Sequence, residues 1–142
     1  MKQAICILIF GFFTISSFSQ KISSTTNYID ALELYNSGDY IMLIYFYDGE
    51  NSKLERKIKN EILKSDGLKT FNKDIVILNV DKNTLGTEEA AINKRPVRAF
   101  NPENIYPSIS ASLSKEGKSL PLMTSFSDSD ITLFFEQLKA LK

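Results

Sequence analysis

Residues 41–47 read IMLIYFY, an unbroken apolar and aromatic run of strand length. A strand with one face in water alternates apolar and polar residues, so a continuous run predicts a strand buried on both faces. Residues 74–81, DIVILNVD, form a second run of this kind. Two such strands separated by a helical segment predict a βαβ unit with parallel pairing.

Helical patterns surround the two strands. Apolar residues at helical spacing predict helices over residues 28–35, 52–64 and 87–93, and a last one from Ser127 or Asp128 to Leu141. Ser52 and Glu55 fit the S-x-x-E capping box, which predicts where the second helix starts. Residues 95–105 contain two prolines and are expected to be irregular. Short strands over residues 108–113 and 119–124 are expected to form a hairpin around residues 115–118.

The composition limits the possible functions. The chain has 142 residues, a formal net charge of zero and no histidine. This length suits one domain, and a zero net charge argues against nucleic-acid binding and against attraction to an anionic membrane. Without histidine the chain lacks the commonest general base and every histidine-containing zinc site. We therefore predict no metal, no cofactor and no conventional hydrolase.

The N-terminus has the pattern of a secretory signal. Lys2 precedes an apolar run over residues 4–15, and small residues follow at Ser17 and Ser19. A transmembrane helix needs about 20 apolar residues, so this run is too short to span a bilayer. We predict that residues 1–19 are a cleaved signal peptide; an uncleaved anchor and a buried helix of the domain are the alternatives.

Cleavage after Ser19 would leave a mature chain without cysteine. The only cysteine, Cys6, lies inside the apolar run, and we interpret it as an apolar filler and not as a lipid-modified residue. Residues 20–27 are rich in serine and threonine and are expected to be flexible. Residues 28–142 are expected to form the folded domain, which would sit in the periplasm or outside the cell with no stable membrane insertion.

The order of these elements resembles the thioredoxin fold. The first strand and its capped helix resemble those beside a thioredoxin active site, and residues 75–81 are similar to the family's third-strand V-x-V-D segment. Residues 105–109, IYPSI, with the strand and hairpin that follow, resemble the family's cis-proline loop. The resemblance covers residues 28–142. It implies an α/β three-layer sandwich with a mixed central sheet and helices on both faces.

The charged second helix and residues 62–66, ILKSD, are most similar to the secreted bacterial subgroup of thioredoxin-like proteins. In that subgroup C-x-x-C opens the helix, whereas the corresponding residues 51–55 here read NSKLE. Thiol–disulfide exchange requires a thiolate at this position. The redox activity of the family is therefore out of reach for this chain.

The resemblance implies a binding surface in place of the thiol site. In thioredoxin-like proteins the cis-proline loop offers backbone groups that pair with an extended partner segment, and the Tyr106–Pro107 bond is expected to be cis. The candidate groove combines the turn after the first buried strand with this loop. Its residues are Asp48, Glu50, Asn51, Ser52, Glu55, Tyr106 and Pro107, none of them expected to be catalytic.

We therefore expect an exported, redox-inactive protein-binding or assembly module with a protein partner in the cell envelope. One alternative is an enzyme that uses the paired carboxylates Asp48 and Glu50, a tyrosine, or sulfur supplied entirely by the partner. A passive structural protein of the envelope is the other alternative. The sequence leaves the partner's identity and the oligomeric state open.

Overall fold

Five strands form one mixed sheet. The computed structural model describes residues 20–71, 73–113 and 117–141, so the predicted signal peptide, residues 1–19, lies outside the described residues. The strands are β1 (Ile22–Thr25), β2 (Tyr40–Tyr47), β3 (Asp74–Asp81), β4 (Ser108–Leu113) and β5 (Lys118–Ser119). Their order across the sheet is β1-β3-β2-β4-β5.

The two predicted buried strands lie side by side near the centre of the sheet. β2 pairs in parallel with β3 along its whole length, and on its other side it pairs antiparallel with β4. Every residue of β2 from Tyr40 to Phe46 is buried. The predictions of two buried strands and of parallel pairing between them are therefore confirmed.

Helices cover both faces of the sheet, as a three-layer α/β sandwich requires. They are α1 (Tyr28–Ser37), α2 (Ser52–Ile58), α3 (Asp66–Lys69), α4 (Lys94–Phe100) and α5 (Asp128–Ala140), and a π-helical turn, Lys59–Leu63, continues α2. Odd-numbered residues 41–45 of β2 pack in a core with α2, α3 and α5. Even-numbered residues 42–46 pack in a second core with α1 and α4. The expected fold class is confirmed.

The prediction of a flexible segment over residues 20–27 is wrong for residues 22–25. β1 pairs in parallel with β3, with Ile22 opposite Ile75 and Thr25 opposite Leu78. The side-chain amide of Gln20 donates to the carbonyl oxygens of Leu68 and Lys73, at 2.9 Å each. An edge strand has only one neighbour and half-exposed side chains, so its serines and threonines give no apolar run for the sequence pattern to show.

The region around Pro96 also differs from the prediction. Residues 87–93 form only a 3₁₀ turn, Ala91–Asn93, and α4 occupies residues that were expected to be irregular. Pro96 is the third residue of α4. The first four N–H groups of a helix have no acceptor within it, so a proline in this turn removes no helical hydrogen bond.

The C-terminal part follows the prediction more closely. β4 and β5 pair antiparallel, and an isolated bridge joins Ile109 to Met123, so the second hairpin strand is shorter than residues 119–124. Residues 114–116 of the expected turn lie outside the described residues. Ser127 caps α5 in a reciprocal capping box with Asp130, which is one of the two starts that the sequence allowed.

Candidate functional site

The candidate groove, defined as the surface of residues 48–55 together with Tyr106 and Pro107, lies where β2 ends and β4 begins. Phe46 pairs with Ser108 in the antiparallel ladder between these strands. The chain that leaves β2 and the chain that enters β4 therefore run beside each other, which places Asp48 opposite Tyr106. The sheet thus brings together the two halves of the site that the sequence predicted.

Asp48 is a fixed, largely covered residue at the end of β2. Its side chain is 8% exposed, and its Oδ2 lies 3.8 Å from the Nζ of Lys82. Its Oδ1 accepts a hydrogen bond of 3.1 Å from the backbone N–H of Glu50. Its backbone carbonyl accepts one of 2.7 Å from the side-chain amide of Asn83. These contacts hold the turn after β2 against the turn after β3.

The start of α2 differs from the predicted capping box. Asn51, and not Ser52, is the N-cap: its side chain accepts from the backbone N–H of Leu54 at 3.1 Å. Glu55 reaches back further than a capping box requires, and its carboxylate accepts from the N–H of Gly49 at 2.7 Å. Gly49 has a φ of +78°, a backbone conformation that favours glycine, and this turn brings its N–H to the buried Glu55.

The loop before β4 supplies the other half of the site. The Tyr106–Pro107 peptide bond is cis, as the resemblance implied, and Pro107 is buried. The half-buried Tyr106 ring packs edge-on against Phe46, with centroids 6.5 Å apart, and the Nζ of Lys82 lies 5.2 Å from its centroid. Burial raises the pKa of the Tyr106 phenol, and the nearby Asp48 carboxylate raises it further by a smaller amount. Lys82 therefore contacts both halves of the candidate groove.

The buried amide of Asn101 fixes the course of this loop. Its side chain accepts a hydrogen bond from the N–H of Ile105 and donates one to the carbonyl oxygen of Ile105, and each bond is 2.9 Å long. The hydroxyl of Ser108 donates to the same carbonyl at 2.7 Å. Asn101 is fully buried, so these bonds are shielded from water and hold the residue before Tyr106 in one position.

Two tyrosines of β2 lie beneath the start of α2. The rings of Tyr45 and Tyr47 stack with centroids 5.2 Å apart, and the Nζ of Lys59 lies 5.4 Å from the Tyr47 centroid. Tyr45 is fully buried. Burial is the main reason why the pKa of its phenol lies well above the ordinary value, and the Glu55 carboxylate raises this pKa further. Both this phenol and that of Tyr106 therefore lose their proton less readily than a free tyrosine.

The predicted site residues thus fall into two groups. Asp48, Glu55, Tyr106 and Pro107 are covered and build the walls of the site. Glu50, Asn51 and Ser52 are exposed, and the side chains of Glu50 and Ser52 form no hydrogen bond or ion pair with the described residues. Asp48 and Glu50 are linked through a backbone N–H and not as two facing carboxylates.

Three residues that hold the site together were missed in the sequence. Lys82 and Asn83 follow β3 directly, and the carboxyl ends of parallel strands meet at one edge of a sheet. That position was a usable signal for both of them. Asn101 gave no such signal, because its partners lie in a turn whose course depends on the fold.

Two features are absent from the described part of the chain. No group of three or more side chains there is arranged to hold a metal ion. Nor does any helix over residues 20–71, 73–113 and 117–141 combine the length and apolar character needed to cross a bilayer.

The hydrogen bond from the Gly49 N–H to the buried Glu55 gives a prediction for stability. Replacing Glu55→Ala leaves the Gly49 N–H without its buried acceptor, so we expect the free energy of unfolding to fall by about 1–3 kcal/mol. Glu55→Gln keeps an acceptor oxygen and is expected to lose less. Glu61→Ala, an exposed change in the same helical segment, is the control. Urea unfolding measures all three, and equal losses for Glu55→Ala and Glu61→Ala would contradict the assigned role.

Comparison with known proteins places the fold. No protein-family model matches the chain, and no curated protein matches it. Among solved structures, the DsbH oxidoreductase is similar over 92% of both chains, with 17% identity and a TM-score of 0.59. A chain in the crystal structure of the ferredoxin:thioredoxin reductase and thioredoxin f2 complex is similar over 84% of this chain and 96% of its own length, with 14% identity and a TM-score of 0.53. Likeness at these identities establishes the architecture alone, and that architecture is thioredoxin-like.

Proposed function

We propose that this chain is an exported, redox-inactive thioredoxin-like protein that binds a partner protein of the cell envelope through the candidate groove. The observation that carries the proposal is the absence of cysteine from residues 51–55 at the start of α2, the segment that corresponds to the family's C-x-x-C motif by the resemblance. The only cysteine of the sequence is Cys6, within the predicted signal peptide. Without a thiolate, thiol–disulfide exchange has no nucleophile.

The loop at Tyr106 supports binding of an extended segment. No described residue hydrogen-bonds to the backbone of Tyr106. In the neighbouring Ile105, by contrast, both the backbone N–H and the carbonyl oxygen are hydrogen-bonded to the side chain of Asn101. An extended partner could therefore pair with this free backbone, as in other cases of strand addition. Because Asn101 already holds the loop in place, the partner would meet a surface that loses little conformational entropy on binding.

The same geometry gives less support to an enzyme. The Asp48 carboxylate is already engaged by the Glu50 N–H and faces Lys82, so it stabilises the turn. The phenols of Tyr45 and Tyr106 have raised pKa values, which disfavours the phenolate that a tyrosine nucleophile would need. The half-buried Tyr106 beside exposed Glu50 and Ser52 instead suits an interface, where an aromatic anchor is surrounded by polar groups.

Affinity capture from envelope extract tests the binding role. We expect the double change Glu50→Lys with Tyr106→Ala to abolish retention of a partner that the unmodified protein captures, because the first reverses a charge and the second removes the aromatic anchor.

The matched control is Glu136→Lys with Tyr35→Ala, which makes the same chemical changes away from the candidate groove, in α5 and α1. This control is expected to keep the partner. Thermal melting confirms that both variants are folded. Equal retention of the partner by the groove variant and the control would move the interface elsewhere.

Insulin reduction tests the redox part of the proposal separately. With dithiothreitol as the reductant, we expect the protein to leave the rate of insulin precipitation at that of dithiothreitol alone, because no thiolate is present at α2 to attack the disulfide. A redox-active thioredoxin serves as the assay control. Acceleration by the purified chain, at any protein concentration that accelerates the control, would refute redox inactivity.

A further inference from the structure

A second pocket lies beside the loop that carries Tyr106. Its volume is about 370 Å³, and it is formed by α4, the turn after β3 and the turn before Tyr106. Three of its lining residues are apolar: Leu85, Val97 and Pro102. Lys94 and Arg98 of α4 also line it. The pocket therefore offers an apolar surface together with two positive charges.

The two charges have no counterion in the fold. Lys94 and Arg98 are four residues apart in α4, which makes them neighbours on one face of the helix, where like charges repel. Neither side chain forms an ion pair or a hydrogen bond with the described residues. Glu103 lies in the adjacent turn, but it neither lines the pocket nor pairs with either cation. Within the described part of the chain, no negative charge therefore offsets the repulsion between Lys94 and Arg98.

We propose that this pocket binds an acidic and apolar stretch of the partner protein. An apolar side chain of the partner would pack on Leu85, Val97 and Pro102, and a neighbouring carboxylate would pair with Lys94 and Arg98. Charged groups arranged in this way select among partners and speed their encounter. The inference deepens the proposed function and rests on it, since it names the chemistry of the segment that the chain binds.

The pocket lies close to the candidate groove along the chain. Asn104, which lines the pocket, precedes Tyr106 by two residues. On the other side, Leu85 lines the pocket and Lys82, three residues earlier, lies over the Tyr106 ring at 5.2 Å. Residues on both sides of the pocket are thus near neighbours of residues at the candidate groove. This proximity favours one extended peptide as the occupant of both surfaces.

Titration with small probe peptides tests the pocket directly. We expect acetyl-Leu-Glu-amide to shift the backbone NMR signals of Leu85, Val97 and Arg98, and acetyl-Leu-Gln-amide to bind on the order of fivefold more weakly. The double change Lys94→Glu with Arg98→Glu is expected to remove this preference for glutamate. Arg95→Glu makes the same kind of change in the same helix outside the pocket and is expected to keep the preference.

Three outcomes would overturn the inference: no binding of the glutamate peptide at the pocket residues, equal affinity for the two peptides, or an equal effect of Arg95→Glu and the double change. Octanoate serves as a second probe, and binding more than tenfold tighter than the glutamate peptide would assign the pocket to a fatty acid instead. Glu136→Lys, a charge reversal in α5, is expected to leave probe binding unchanged. Because probe binding is measured without the captured partner, failure of the pocket is visible separately from failure of the candidate groove.

Discussion

The burial of β2 on both faces is the constraint on which the rest of the structure depends. Its side chains alternate between the two cores, and its backbone pairs with β3 on one side and β4 on the other. The strand therefore cannot shift in register without exposing one set of apolar residues or losing both ladders. Because of this, the turn after β2, the turn after β3 and the loop before β4 meet at one place.

That meeting point is held by polar groups and not by packing alone. The side chain of Glu55 accepts a hydrogen bond from the turn after β2, and the side chain of Asn83 joins this turn to the turn after β3. The side chain of Asn101 fixes the loop before β4. Each of these side chains satisfies backbone groups that would otherwise be costly to leave unpaired. The result is a preorganised surface with Asn51 and Ser52 exposed at the start of α2, which supports the proposed binding role.

The sequence predicted the parts of the fold that depend on hydrophobic pattern. Residues 41–47 form a buried strand because few other structures can cover an uninterrupted apolar run of this length, and the apolar residues 75–78 make residues 74–81 a second such strand. The pattern does not reveal β1, whose pairing with β3 is a tertiary contact, nor whether Asn51 or Ser52 caps α2. Both residues are good caps, and in the structure it is the side chain of Asn51 that accepts the hydrogen bond from the N–H of Leu54. The site residues after β2 and before β4 were predicted through the resemblance. Lys82 and Asn83 could have been found from their position directly after β3, whereas the role of Asn101 becomes visible only in the folded chain.

Hydrogen–deuterium exchange of the protein with and without its captured partner tests whether that partner binds at the candidate groove. We expect the partner to slow exchange in residues 49–55 and at Tyr106, and to leave exchange in the exposed face of α5 unchanged. Protection confined to α5 or to the β1 edge, with no change at residues 49–55 and Tyr106, would contradict it.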